Sequence, residues 1–267
     1  MLAVRVTILD EILATKRDEV AAAKATRSLS DLERAARESG PVRGMTAALR
    51  RAPGEPVRVL AEIKRASPSA GAIRAGADPA VIAADYAGAG AAALSVLTDE
   101  RYFDGRLAFL AQVRERVSLP LLRKDFIVDP YQVVEARAAG ADAILLIVAA
   151  LDKSRLAELM RVAEEHALDV LVEVHTQKEA EIALGVGTTL LGVNHRDLKT
   201  FTIDMSLTSV VAPMLPPDVV LVAESGIRTP ADVQLLGAVG AHAVLVGEQL
   251  MRAPSVGDAL RALRGVP

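Results

Sequence analysis

Short apolar runs in this chain end in groups that could move protons or grip an anion. Glu62 and Lys64 stand two residues apart, Arg123 and Lys124 close another run, Glu173 and Glu224 each end one, and Asn194 leads into His195 and Arg196. Lysine and glutamate exchange protons near neutrality once burial and neighbouring charges tune their pKa values. A guanidinium suits a carboxylate or a phosphate, and an amide can orient a hydroxyl. The turns Ser225-Gly226 and Gly247-Glu248 offer the exposed backbone N–H groups that cradle phosphate. The chain has no cysteine, which excludes a thiol nucleophile, disulfides and thiolate metal sites.

Each group also has a plainer explanation. Glu62 with Lys64, or Arg123-Lys124-Asp125, could be solvated charge at a strand end, and Gly226 or Gly247 alone could only make a turn. His175, beside Glu173, reads as packing or polar filler rather than an acid–base group. Glu173 is harder to dismiss, because an acid after a run buried on both faces is costly without a partner or a task. What distinguishes the set is that all its members sit where strand becomes loop.

The elements that must position them alternate along the chain. Apolar runs near 57–63, 92–97, 119–123, 143–148, 169–174, 189–194, 219–223 and 243–247 read as strands covered on both faces. Helix starts recur between them: Asp78-Pro79, Asp129-Pro130, Thr229-Pro230-Ala231-Asp232 and a capping box at Thr176-Gln177-Lys178-Glu179. Gly140 and Gly240 stand where helices should stop. Eight such units predict an α/β fold of the closed (β/α)8 TIM-barrel type, although an open doubly wound sheet shares the alternation. In a barrel the strand ends converge on one face, where chemistry is carried out, and the loops after strands seven and eight commonly bind phosphate.

Ahead of the barrel lies a helical extension. Leu9, Ile12, Leu13, Lys16 and Val20 fall near helical spacing behind Thr7 as N-cap, and Ser30-Asp31-Leu32-Glu33 reads as a capping box opening a second helix that Gly40-Pro41 closes. Residues 50–56, with two prolines and a glycine, form the expected hinge. The domain reading is a helical extension over 1–50 packed on a catalytic barrel over 51–267.

Composition narrows the class further. A chain of 267 residues fits one barrel of about 250 residues. Its 51% hydrophobic content supports a large core, and its 3% aromatic content leaves Ala, Val, Leu and Ile to fill it. A net charge of -3 gives no basic footprint, so nucleic acid is not an expected partner. Residues 1–11 do not resemble a secretory leader, and 138–151, interrupted by Asp142, is too short to span a bilayer. The expectation is a cytoplasmic protein without membrane association.

The motifs resemble the indole-3-glycerol phosphate synthase family over essentially the whole chain. The resemblance rests on Ile8-Leu9-Asp10-Glu11-Ile12 with Lys16-Arg17, Glu62-Ile63-Lys64-Arg65-Ala66-Ser67-Pro68-Ser69, and Leu97-Thr98-Asp99-Glu100 through Phe103-Asp104-Gly105. It continues through Leu122-Arg123-Lys124-Asp125-Phe126-Ile127, Val172-Glu173-Val174-His175, Gly192-Val193-Asn194-His195-Arg196-Asp197-Leu198 and Ala223-Glu224-Ser225-Gly226-Ile227.

That resemblance implies conversion of 1-(2-carboxyphenylamino)-1-deoxyribulose 5-phosphate into indole-3-glycerol phosphate, carbon dioxide and water, in tryptophan biosynthesis, with no metal and no organic cofactor. It implies Lys124 as the general acid of ring closure, Glu173 as proton acceptor in the later dehydration, and Lys64 as a contact to the substrate carboxylate and a second acid. Glu62 and Glu224 would hold the ammonium groups, and Asn194 and Arg196 would contact polar substrate groups. Ser67, Ser225, Gly226 and Gly247 would lie at the phosphate, and Pro68, Phe103, Phe126 and Leu198 would form the apolar slot for the ring. A monomer or weak homodimer is expected, acting on a small phosphorylated molecule.

Some positions depart from the family pattern: His195 stands where asparagine is common, Ala70-Gly71 where Lys-Gly is common, and Glu248 where serine is frequent. A carboxylate at 248 cannot donate to phosphate as a serine can, and so is an awkward neighbour unless it turns away. Among rival barrels, phosphoribosylanthranilate isomerase uses a cysteine base that this chain lacks. A Schiff-base aldolase built on Lys64 or Lys124 would be trapped by borohydride. A silent binding barrel should have lost at least one of the charged groups that are all present here.

Overall fold

The computed structural model describes residues 7–266. Residues 1–6, on which part of the leader-segment expectation rests, and Pro267, the last residue of the expected barrel range, lie outside the described residues.

Eight parallel strands close a barrel: Arg58–Ile63, Ala93–Leu97, Leu121–Lys124, Ala143–Ile147, Asp169–Val174, Leu190–Asn194, Val220–Glu224 and Ala243–Val246. The first strand pairs with the last, Leu60 opposite Leu245, and with the second, Leu60 opposite Ala93. All eight expected strands are present, with small shifts at their ends. The third begins at Leu121, after Leu119-Pro120, and runs on through Lys124; the seventh runs through Glu224.

The pleat decides which side chains reach the lumen, because successive residues of a strand point to opposite faces. Leu60, Leu122, Leu145, Leu171, Leu190, Val222 and Leu245 pack together inside the barrel. Their neighbours Val59, Ala61, Leu121, Ile144, Val172, Leu191, Leu221 and Val244 pack outward against the helices. Counting by two from the inner residues leads to Glu62, Lys124, Glu173, Gly192, Asn194 and Glu224, so parity alone sends these groups into the mouth. Arg123 has the opposite parity and lies under the next helix, bonded to Gln132 O at 3.0 Å and Glu135 at 2.8 Å.

Helix starts follow the capping chemistry with two corrections. Thr7, Asp78, Asp129 and Thr229 cap as expected, Thr7, Asp129 and Thr229 with reciprocal bonds. The second helix, Leu29–Glu38, is capped by Ser28, whose hydroxyl takes the N–H of Asp31, and not by Ser30. Ser28 wins because it precedes the first apolar turn residue, Leu29. Thr176 caps Gln177–Leu184, but the Glu179 carboxylate accepts the N–H of His175 rather than of Thr176, so no reciprocal box forms. Gly140 and Gly240 have φ of +90° and +111°, the left-handed stop that glycine permits.

The extension begins with Ile8–Thr26, which buries Ile12, Leu13, Lys16 and Val20. The second helix sets Leu32 and Ala36 against Tyr131 and Val134 of the helix Pro130–Ala138. A short helix not foreseen from sequence, Met45–Leu49, follows. Met45 and Leu49 are fully buried against the inner barrel residues, and the N–H of Thr46 is taken by Asp169, the first residue of the fifth strand. The barrel is therefore stoppered at the end opposite its mouth. The 50–56 segment is pinned there by Arg51, which donates to Ala241 O at 2.9 Å.

Candidate active site

At the C-terminal ends of the strands lies a cavity of about 450 Å³, within the usual size of about 300–1,000 Å³ for small-molecule sites. The sixteen residues that the family resemblance points to all line it: Glu62, Lys64, Lys124, Glu173, Asn194 and Glu224, and with them Ser67, Pro68, Phe103, Phe126, Arg196, Leu198, Ser225, Gly226, Gly247 and Glu248, whereas Arg123, His175 and His195 do not.

Lys124 is the centre of the charged group. Its Nζ lies 2.6 Å from Glu173 and 2.9 Å from Glu224, across the lumen from two different strands. Lys64 pairs with Glu62 at 2.6 Å, so these two charges share a side of the first strand as their spacing requires. Glu62, Glu173 and Glu224 are all 2–3% exposed. Burial opposes the charge on Lys124, but the carboxylates of Glu173, Glu224 and Glu62 overcome it and raise its pKa. The lowering that burial alone would give a lysine is thus reversed by its neighbours. Burial and the charge of Glu173 push Glu224 up to about 8 against the pull of Lys124, whereas Lys124 and His175 outweigh burial and hold Glu173 well below the carboxylate range.

Two glycines make room for these acids. A Cβ at Gly192 would overlap Oε1 of Glu224, and one at Gly247 would overlap Glu62. Gly192 therefore belongs to the site although it carries no functional group. A glycine in a strand interior marks such a close approach, which is the signal by which it could have been found.

The apolar slot is formed by Phe103 and Phe126, whose ring centroids are 6.1 Å apart at 40°. Both rings are set by carboxylates. Asp99 caps the short helix Glu100–Phe103, and Asp125 takes the N–H of Phe126 at 2.8 Å. Between these two acids lies the ammonium of Lys16, 3.0 Å from Asp99 and 2.9 Å from Asp125, in a residue only 4% exposed. Asp125 also receives Thr98 at 2.6 Å and Arg123 at 3.1 Å. Ile8, Leu9 and Ile12 of the same helix wall the cavity.

Opposite the slot lie the glycine-bearing turns. Ser225 and Gly226 both have positive φ, +69° and +80°, a conformation that costs a non-glycine residue about 1–3 kcal/mol unless its surroundings hold it. The Ser225 hydroxyl donates to Asn194 Oδ1 at 2.8 Å, and the Ser225 carbonyl meets Nδ1 of His195 at 2.9 Å. His195 is buried, with Nε2 2.7 Å from the Thr208 hydroxyl. It braces the turn from behind. Asn194 Oδ1 also accepts the N–H of Arg196 at 3.1 Å, which leaves the amide nitrogen of Asn194 for the cavity. The Glu248 carboxylate turns to Arg252 at 3.0 Å, one helical turn on, and Arg252 also lines the cavity.

Sequence reasoning passed over Lys16 as a charged group, Gly192 as a notch, and Leu145 and Ile147 as lumen residues. It also passed over Arg252, whose spacing of four from Glu248 was the available signal. Among the described residues no group of three or more His, Asp or Glu is placed to hold a metal ion, and no helix is long and apolar enough to cross a membrane.

The family profile of indole-3-glycerol phosphate synthase matches residues 9–263. The chain is 53% identical over 261 residues to the indole-3-glycerol phosphate synthase of Rhodospirillum rubrum, covering 97% of this chain and 99% of that protein. It is 49% identical over 269 residues to the enzyme of the same name from Acinetobacter baylyi, covering 100% and 99%. The counterpart in Azospirillum brasilense is 50% identical over 257 residues, covering 96% and 98%. A solved 3-hexulose-6-phosphate synthase superposes with a TM-score of 0.64 at 15% identity, over 79% of this chain and 100% of that one, a likeness of fold alone.

Proposed function

The chain belongs to the indole-3-glycerol phosphate synthase family, and from that premise we propose which of its side chains carry each step. The reaction is the ring closure, decarboxylation and dehydration of 1-(2-carboxyphenylamino)-1-deoxyribulose 5-phosphate to indole-3-glycerol phosphate, a carboxy-lyase step of tryptophan biosynthesis.

The observation that carries the assignment is the ammonium of Lys124 held between Glu173 and Glu224 at the mouth, with an aromatic slot on one side and glycine turns on the other. Ring closure places negative charge on the ketone oxygen as the ring carbon bearing the carboxylate attacks it. Lys124 donates its proton there, so that an alcohol rather than an alkoxide forms. Loss of carbon dioxide then leaves an electron-rich ring carbon, and loss of that alcohol as water completes the indole. Glu173 accepts a proton in this dehydration, and Lys64, within reach of the substrate carboxylate, acts as its acid.

Glu62 and Glu224 fix the two ammonium groups. The Asn194 amide nitrogen and Arg196 contact polar substrate groups, while Pro68, Phe103, Phe126 and Leu198 receive the ring. The N–H groups at Ser67, Ser225, Gly226 and Gly247 take the phosphate, with Glu248 held away from it by Arg252. Residues 1–50 serve as an extension that walls the pocket and 51–267 as the catalytic barrel. The active species is a monomer or weak homodimer in the cytoplasm.

Indole fluorescence tests the assignment directly, since the protein contains no tryptophan to mask it. With the carboxyphenylamino substrate and a chelator present, fluorescence should rise for the native chain. In Lys124→Ala and Glu173→Gln it should stay flat while substrate still binds. A normal rise in either variant removes that residue from the mechanism.

A further inference from the structure

Glu173 and Glu224 meet the same ammonium in unlike surroundings. Glu173 has a second basic neighbour, because its Oε1 lies 3.3 Å from Nε2 of His175, whose side chain is 7% exposed and whose ring nitrogens sit beside acids without a well-aligned hydrogen bond among the described residues. The other ring nitrogen of His175 lies 3.5 Å from Oε2 of Glu179. Glu179 is itself fixed: Oε2 accepts the N–H of His175 at 2.7 Å, and the N–H of Glu179 donates to Thr176 at 3.1 Å. Glu224 has none of this. Its Oε1 is pressed against the bare backbone of Gly192 and has no hydrogen-bond partner among the described residues.

The charged groups facing this pair are Lys124 from the third strand, His175 beyond the fifth, Glu179 from the following helix, and the Glu62–Lys64 pair of the first strand. Glu62 and Lys64 cancel. Among the groups in direct contact, Lys124 and an imidazolium at His175 then balance Glu173 and Glu179, so a charge on Glu224 has no contacting cation to itself, Arg196 lining the same cavity without an ion pair to it. An uncompensated buried charge is strongly disfavoured.

We propose that His175, oriented by Glu179, is a positioning residue that decides which carboxylate is the base: it keeps Glu173 ionised and leaves the proton on Glu224. This rests on Glu173 as the proton acceptor. The shifts run the same way. Burial disfavours the charge on His175, but Glu173 and Glu179 overcome it and raise its pKa to about 9, so that it is a cation at neutral pH. Two carboxyls driven apart by their environments are an acid and a base ready-made.

Carboxyl titration by carbon NMR, with labelled glutamate and signals assigned through Glu173→Gln and Glu224→Gln, reads this without turnover. Glu224 should titrate near 8 in the native chain, with Glu173 ionised well below that. In His175→Asn, loss of the neighbouring cation should raise the Glu173 titration by about one to three pH units. The acid limb of kcat/KM should move up with it. Glu179→Gln should move both the same way by less, and His175→Lys should restore them.

An unchanged Glu173 titration and pH profile in His175→Asn, with only Tm lowered, overturns the proposal. If His175→Asn does not fold, Glu179→Gln decides on the same readouts, and no shift there overturns it as well. Full activity in Glu173→Gln would instead strike the assignment of Glu173 as base, while the titration still reports what His175 does.

Discussion

The ammonium of Lys16 lies 2.9 Å from the carboxylate of Asp125, the residue that follows Lys124, and so fastens the first helix to the strand end that carries the central lysine. The same ammonium reaches Asp99, whose cap holds the Phe103 helix. One buried cation thus sets three things together: the docking of Ile8–Thr26, the Phe103 side of the slot and the Phe126 side.

Lys16→Met should therefore act on stability and on substrate binding. Removing one partner from a buried ion pair costs about 3–5 kcal/mol, measured by urea unfolding. KM should rise more than kcat falls, because the slot and its Ile8, Leu9 and Ile12 wall loosen while Lys124 keeps Glu173 and Glu224. Equal native values of KM and stability would show that the pair does nothing.

Asp125 gives acid sensitivity a definite sign. Its pKa is about 2, because Arg123, Lys16 and Thr98 outweigh the effect of burial, against about 3.9 in an unfolded chain. A depressed folded value contributes stability above the unfolded pKa that is lost as pH falls through the folded one. About 2–3 kcal/mol should disappear between about pH 4 and pH 2. Asp125→Asn should be less stable at neutral pH and show a flatter acid limb in unfolding measured across that window.

Gly192→Ala tests the notch. Its Cβ would displace Oε1 of Glu224 and with it one support of Lys124. Overpacking of this kind costs about 1–3 kcal/mol, and a catalytic group moved by about 1 Å can lose about a hundredfold in rate. Shortening the acid, Glu224→Asp, in the Gly192→Ala background should return part of the lost stability. No recovery would mean that the alanine strains the strand itself.

Periodicity is a local property, and what followed from it was open to reading in the sequence. The eight strands, the caps at Thr7, Asp78, Asp129 and Thr229, and the strand-end positions of Lys124, Glu173 and Glu224 all depend on a few adjacent residues. Ser28 against Ser30 is a contest that only the first helical turn settles. The contacts that stayed hidden join residues far apart in the chain. Lys16 looks like one more charge on an amphipathic helix until Asp99 and Asp125 meet it. Gly192 is an ordinary strand residue until Glu224 leans on it, and His175 is polar filler until Glu173 and Glu179 flank it.

Met45 and Leu49, buried against the inner barrel residues, leave the lumen, among the described residues, a blind-ended vessel. Nothing released in the cavity at the mouth can drain through that base. Carbon dioxide, water and the bulky indole product must all go out the way the substrate came in, past Phe103, Phe126 and the first helix. Their departures form a queue, and the last in that queue sets when the next molecule can enter.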